Sequence, residues 1–256
     1  MKKTKPPSSA VLLCGHGSRS PQAAEEFHHL TEKVQEKMPG HQVSGGFLEF
    51  NQPDIKTALR DIYDKGLREI IVQPITLYNA GHTTHDIPEI LAIFQKEHPD
   101  VRLHYGASLG LVPAVINAAV KAVKSVMPDG DPEEFKLLVV GRGSKDRTIS
   151  DQSINLCRKL HERLDFGDSL YCYSFESVPS LKSALTQAAH SHYDNVVVLP
   201  FLLFSGRLLL DIHREIDQAT VKYPAFTFHK APHLGPQDFI ADAIVDRIQH
   251  ATKTEK

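Results

Sequence analysis

Two histidines and a glutamate stand at equal intervals near the start of this chain. His16 and Glu49 are 33 residues apart, and Glu49 and His82 another 33. Neutral imidazole and carboxylate suit a borderline divalent metal such as Fe, Co, Ni or Zn, and they lack the grip of thiolate. Histidine also titrates near neutrality, so either one can take up a proton as a metal departs. His16 lies in Gly15-His16-Gly17-Ser18-Arg19, where the flanking glycines leave the backbone free to turn tightly beside a ligand. His82 lies in Tyr78-Asn79-Ala80-Gly81-His82-Thr83-Thr84-His85-Asp86. His85 is three residues on and shares a face with His82 if both are helical, which makes it a supporting or substrate contact. Asp86 reads as a charge at a helix N-terminus rather than a ligand. Each residue also has a plainer reading: a hydrogen-bonded loop histidine, a surface carboxylate, a helix cap. Convergence of the three decides for a site.

Convergence depends on the elements that carry them. Short apolar runs alternate with helical patterns along the whole chain, the signature of βαβ units and a parallel sheet. The pattern predicts strands near 10–14, 42–48, 69–73 and 101–105, with helices near 21–37, 54–65, 87–97 and 112–126. Ser20 before Pro21 is the expected N-cap of the first helix. Strands are then expected near 136–140, 169–174, 195–200 and 226–229, with helices near 149–164, 180–191, 208–221 and 236–250. In open parallel sheets ligands bind beyond the carboxyl ends of the strands. His16, Glu49 and His82 follow the first, second and third strands and so emerge at one edge.

The second half repeats the first at an offset of 126 residues. Leu12–Ser18 aligns with Leu138–Ser144, Pro53 with Pro179, Ala58-Leu59 with Ala184-Leu185, and Ile71–Pro74 with Val197–Pro200. After one deletion Gly81 aligns with Gly206 and Asp86-Ile87 with Asp211-Ile212. A repeat of this size means two homologous domains, each a four-stranded parallel sheet with flanking helices, α/β and flavodoxin-like. The expected division is a loose lead at 1–9, a first domain at 10–126, a linker at 127–135, a second domain at 136–250 and a tail at 251–256. Arg142 stands where the first half has His16, and Arg207 where it has His82; Phe175 or Glu176 falls opposite Glu49. Arginine does not ligate metals but grips carboxylates through its forked donors. Metal ligands in one half and cations in the other suit a metal and a polyanionic substrate. Arg19, Lys145 and Arg147 extend the cationic set, or are ordinary solvated charges.

Composition narrows the class. The net charge of -2 gives no support for a general nucleic-acid or anionic-membrane binder. The three cysteines, Cys14, Cys157 and Cys172, are odd in number and widely spaced, so neither a disulfide framework nor a cysteine metal site is expected. The run Val11–Cys14 is too short for a signal-peptide core and no stretch reaches membrane-span length, so the expectation is a cytoplasmic protein. No Walker or dinucleotide-binding glycine pattern appears, which weakens a nucleotide-binding reading.

The stretches LLCGHGSRSP, GFLEFNQPDI and PITLYNAGHTTHDIPEI resemble the class II chelatases that act on sirohydrochlorin. LLVVGRGSKD and VVVLPFLLFSGRLL resemble the degenerate C-terminal half of that family's long, duplicated members. The resemblance spans the chain past residue 10. It implies two chelatase-like domains, a cleft between them for the polyanionic tetrapyrrole sirohydrochlorin, and metal ligation by His16, Glu49 and His82. It also implies a duplicated chain that works as a monomer, and Arg142, Arg207, Ser18 and His85 are the expected substrate contacts. No permanently bound cofactor is expected; the metal is a substrate, Fe2+, Co2+ or Ni2+. The chain has neither a His-rich tract nor a C-terminal cysteine cluster, which tilts the reading from cobalt or nickel insertion toward iron insertion into sirohydrochlorin, giving siroheme. Two other readings stand beside it. A carrier would bind metal or tetrapyrrole without turnover. A phosphatase with a phosphohistidine nucleophile is similar in its Gly-His-Gly, but Gly15 precedes the histidine where such sites need a cation.

Overall fold

The computed structural model describes residues 9–79, 82–143, 147–175 and 177–252, with the side chains of His82 and residues 147–150 set aside. The first sheet is built from β1 (Ser9–Gly15), β2 (His41–Phe47), β3 (Glu69–Pro74) and β4 (Arg102–Tyr105), all parallel, in the order β2-β1-β3-β4. Between them run α1 (Pro21–Lys37), α2 (Ile55–Asp64) and α3 (Ile87–Glu97), and α4 (Pro113–Lys124) follows. The second sheet holds β5 (Phe135–Gly141), β6 (Asp168–Tyr173), β7 (Asn195–Pro200) and β8 (Thr227–Lys230) in the matching order β6-β5-β7-β8. Its helices are α5 (Arg147–Leu164), α6 (Leu181–Ala188), α7 (Arg207–Lys222) and α8 (Asp238–Ala251). The α/β fold with two four-stranded parallel sheets is the one expected, and α1, α3 and β7 keep the expected bounds to the residue.

Central strands explain themselves. β1 and β5 are buried along their whole length, as strands covered on both faces must be. The one charge in β5, Lys136, is buried and paired with Asp168 of the neighbouring edge strand at 2.5 Å. On one side of the first sheet Leu12, Leu59, Ile62, Val72, Ile87 and Phe94 share a core with α2 and α3. On the other, Phe27 of α1 lies 4.6 Å from Phe47 between ring centroids.

The packing does not follow the sequence repeat. One compact unit is formed by residues 1–112 and 236–256, the other by 113–235. Helix α4, last of the first repeat, packs on α5 and β7; α8, last of the second, packs on α1 and β3. Helix α8 buries Ile240, Ala241, Ala243, Ile244 and Ile248, and its Asp238 and Asp242 each meet a lysine of α1, Lys33 and Lys37, at 2.7 Å. Arg247 donates to the carbonyl of Leu109 at 2.8 Å. The expected boundary at 127–135 therefore falls inside the second compact unit.

Caps differ from one helix to the next. Ser20 occupies the N-cap of α1, but its side chain makes no cap bond; its backbone N–H donates to Ser18 Oγ at 3.1 Å. Asp86 likewise makes no side-chain cap for α3, because its backbone is already helical. Asp54 and Ser180, 126 residues apart, do cap α2 and α6, accepting from Thr57 N–H at 2.7 Å and Ser183 N–H at 3.2 Å. The Thr57 N–H holds the Asp54 carboxyl below its usual range. A lowered pKa contributes stability above the unfolded value that is lost as pH falls through the folded one. Asp54→Ala is expected to cost about 1 kcal/mol at pH 7, with the gap to wild type narrowing as acid protonates the cap. Ser180→Ala should cost about as much without that narrowing. Denaturant melts at pH 7 and pH 3 check this; a gap for Asp54→Ala that does not narrow in acid would refute the carboxylate's part.

Candidate functional site

In the first sheet the chain runs from β1 out to β2 on one side and then to β3 on the other, so the strand order reverses between β1 and β3. That is where a ligand crevice opens in a sheet of this kind. His16 follows β1 and is half-buried; Glu49 follows β2 and is exposed. The two are joined through the backbone: Glu49 N–H donates to the His16 carbonyl at 3.0 Å, and Leu48 N–H to that of Gly15 at 3.0 Å. These bonds carry the parallel ladder one step past the strands and set the two expected ligands side by side.

Gly17 fixes the loop between them. It has φ +91°, and a Cβ there would lie 1.8 Å from the Glu49 carbonyl oxygen. Only glycine gives both the conformation and the room. Asn51 Oδ1 accepts the Ser18 N–H at 2.7 Å, tying the two loops again. Ser18 Oγ accepts from Ser20, and its own O–H remains a donor.

His82 begins a single π-helical turn, His82–Asp86, that runs directly into α3. Such turns are rare and gather at functional sites because they re-aim side chains from a helix end. Thr83 within it is buried, and its carbonyl accepts from Tyr105 Oη at 2.8 Å. Burial pushes the Tyr105 phenol up, so it stays protonated and keeps that donor. His85 is exposed, with Nδ1 2.8 Å from Thr84 Oγ1. The side chain of His82 lies outside the described residues. Among those described, no three His, Cys, Asp or Glu side chains are gathered to hold an ion. Cys14 is buried just before the site and burial raises its thiol pKa, so it packs as a small apolar residue.

The second unit repeats the scaffold with other side chains. Phe175 N–H donates to the Arg142 carbonyl at 3.0 Å and Ser174 N–H to that of Gly141 at 2.9 Å. Gly143 has φ +106°, and its Cβ would lie 2.1 Å from the Phe175 carbonyl oxygen. The counterpart of Glu49 is therefore Phe175; Glu176 lies outside the described residues. Arg142 is exposed. Arg207 opens α7, is 93% exposed, and has Asp211 3.7 Å away. At these three positions arginine, phenylalanine and arginine offer no metal ligand, and the two guanidinium groups are suited to anions. Lys145 and the side chain of Arg147 fall outside the described residues, and Arg19 sits over the ring of Phe50 in the first unit at 5.0 Å.

Asn51, Tyr105 and Phe50 make contacts around the expected ligands that spacing did not single out. Asn51 opens Asn51-Gln52-Pro53, a turn-forming triplet that begins two residues after Glu49, and that signal was available. Tyr105 ends its strand with nothing in the sequence to mark it.

A family model, CbiX, matches residues 10–126 and again 136–251. The chain belongs to the CbiX family. Its relatives include the sirohydrochlorin ferrochelatase of Bacillus subtilis (strain 168), 27% identical over 94% of this chain and 90% of that one. The sirohydrochlorin cobaltochelatase of Priestia megaterium is 23% identical over 96% of this chain and 81% of that one. Among solved structures, SirB from Bacillus subtilis with Fe3+ has the same fold, with a TM-score of 0.87 at 24% identity and 97% coverage of both chains.

Proposed function

We propose that this protein is a sirohydrochlorin chelatase that inserts ferrous iron into the macrocycle to give siroheme. The observation that carries the proposal is the backbone pairing of His16 and Glu49 at the strand-order reversal, in a CbiX chain alignable along its length with ferrochelatases. The reaction exchanges two pyrrolic N–H protons for one dication and releases both protons. His16, Glu49 and His82 are proposed to hold the incoming metal as substrate. Two imidazoles and a carboxylate bind it firmly enough to strip water and weakly enough to let it go. Glu49 offsets part of the metal's charge, and a histidine released from the metal takes a pyrrolic proton. Arg142 and Arg207 are proposed to take substrate carboxylates, with Ser18 and His85 as hydrogen-bonding contacts. The working molecule is taken as a monomer of the cytoplasm; among the described residues no helix is long and apolar enough to cross a membrane.

Cobalt insertion is the second reading, supported by the cobaltochelatase among the relatives. A His/Glu site binds Co2+ at least as well as Fe2+ by intrinsic affinity, so the donor set alone does not choose. Anaerobic metallation of sirohydrochlorin, followed by absorbance with each metal, tests both. Acceleration over the uncatalysed rate is expected with each, and matched conditions then rank them. Tight stoichiometric binding without turnover would replace the enzyme with a carrier.

A further inference from the structure

Beside the proposed metal ligands stands a residue that folding alone does not explain. Phe50 follows Glu49 directly and has φ +64°. Asn51 N–H donates back across it to the Glu49 carbonyl at 2.7 Å. A bond from residue i+2 to residue i over a positive-φ centre is the strained form of the three-residue turn. A bulky side chain is a poor occupant of such a position, which costs of order 1–3 kcal/mol and is ordinarily left to Gly or Asn. The other described non-glycine residue with positive φ, Asp165, has an ordinary role: it ends α5, its N–H bonded to the carbonyl of His161 at 2.9 Å.

The strain does not serve to bury the ring. Phe50 is 55% exposed, among the more exposed large apolar side chains described. Its surroundings are those of a contact surface. The His16 imidazole meets it edge-on, centroids 6.1 Å apart at 84°. The Arg19 guanidinium lies over it, 5.0 Å from the ring centroid. A flat apolar surface, a cation stacked upon it and a proposed metal ligand at its edge thus come together on one loop pair. A flat, aromatic, carboxylate-bearing molecule matches all three: its ring system meets the phenyl, a peripheral carboxylate meets the guanidinium, and its centre comes within reach of the histidine.

We infer that Phe50, turned outward by its strained three-residue turn and backed by Arg19, is a direct contact for the tetrapyrrole, setting the macrocycle against the metal ligands. The inference rests on the chelatase reading. The contact positions substrate and takes no part in proton or metal transfer.

The test uses the full chain with Phe50→Ala, Phe50→Gly and Phe50→Tyr. Three quantities are read: the Kd of sirohydrochlorin by absorbance titration, the KM and kcat of anaerobic metallation, and Co2+ binding without tetrapyrrole. Phe50→Ala is expected to raise Kd and KM about tenfold, with kcat and Co2+ binding little changed. Phe50→Tyr restores tight binding. Phe50→Gly removes strain as well as ring, so its Tm rises while its KM stays as poor as that of Phe50→Ala. A merely structural ring gives the opposite pattern: wild-type KM in the glycine variant, or Co2+ binding lost alongside KM in the alanine variant. Either result overturns the contact. If wild type binds sirohydrochlorin and Phe50→Ala binds it equally well, the contact fails while the chelatase reading survives. If wild type itself neither binds nor metallates sirohydrochlorin, both fall.

Discussion

His16→Ala is expected to reduce metallation by at least about a hundredfold while leaving the fold intact. The position supports such a separation. His16 sits beyond the end of β1 on a half-exposed loop, and its link to Glu49 runs through its backbone carbonyl, which alanine keeps. The variant removes one proposed ligand and one proton acceptor and little of the core. The duplication supplies a matched control. Arg142→Ala changes the structurally equivalent residue, whose carbonyl receives the Phe175 N–H in the same way. Its proposed task is to hold a carboxylate, so its loss should appear in KM, with Co2+ binding unaffected. Rates, Co2+ titration and thermal melts on both variants check this. Near-wild-type turnover by His16→Ala would remove His16 from the mechanism.

Gly17→Ala is expected to damage both stability and site. The added methyl would stand 1.8 Å from the Glu49 carbonyl oxygen and 2.9 Å from its carbon, at a φ that alanine avoids. Backbone, not a flexible side-chain tip, would have to move. A loss of roughly 3 kcal/mol follows from strain and displacement together. The segment that moves carries Glu49, so Co2+ affinity should fall with stability. Gly143→Ala makes the same collision in the second unit, 2.1 Å from the Phe175 carbonyl oxygen, and should cost similar stability. Co2+ binding should survive it, because no proposed ligand rides on that loop. If both glycine variants spare Co2+ binding, the loop does not place Glu49 at a metal.

These contrasts show which parts of the molecule were readable from residue order. The sheets were, because strands buried on both faces are unbroken apolar runs and the helices between them carry a clear period. The pairing of His16 with Glu49 was foreshadowed too, since adjacent parallel strands deliver their following residues to one edge. Local spacing did not reveal how the loops are held. The Asn51 bond to Ser18, the turn that projects Phe50 and the Tyr105 anchor on Thr83 are contacts between segments far apart in sequence. The π-helical turn at His82 was invisible for another reason: His82 and His85 fit an ordinary helix equally well. Nor did amphipathic pattern reveal which sheet α4 and α8 would cover. An apolar stripe calls for a partner and does not name it.

The exchange of those two helices lengthens the separation along the chain of the contacts that complete the first unit. The second compact unit is an unbroken stretch, 113–235, so its elements lie near one another along the chain. The first is interrupted by that stretch, and the whole of the second unit separates its α8, residues 238–251, from α1 and β3. Until α8 docks, the faces of α1 and β3 that it covers keep their apolar side chains open to water. Contacts between segments so far apart in sequence carry the larger loop-closure cost, so the unit that reaches across the chain is expected to be completed after the one that does not.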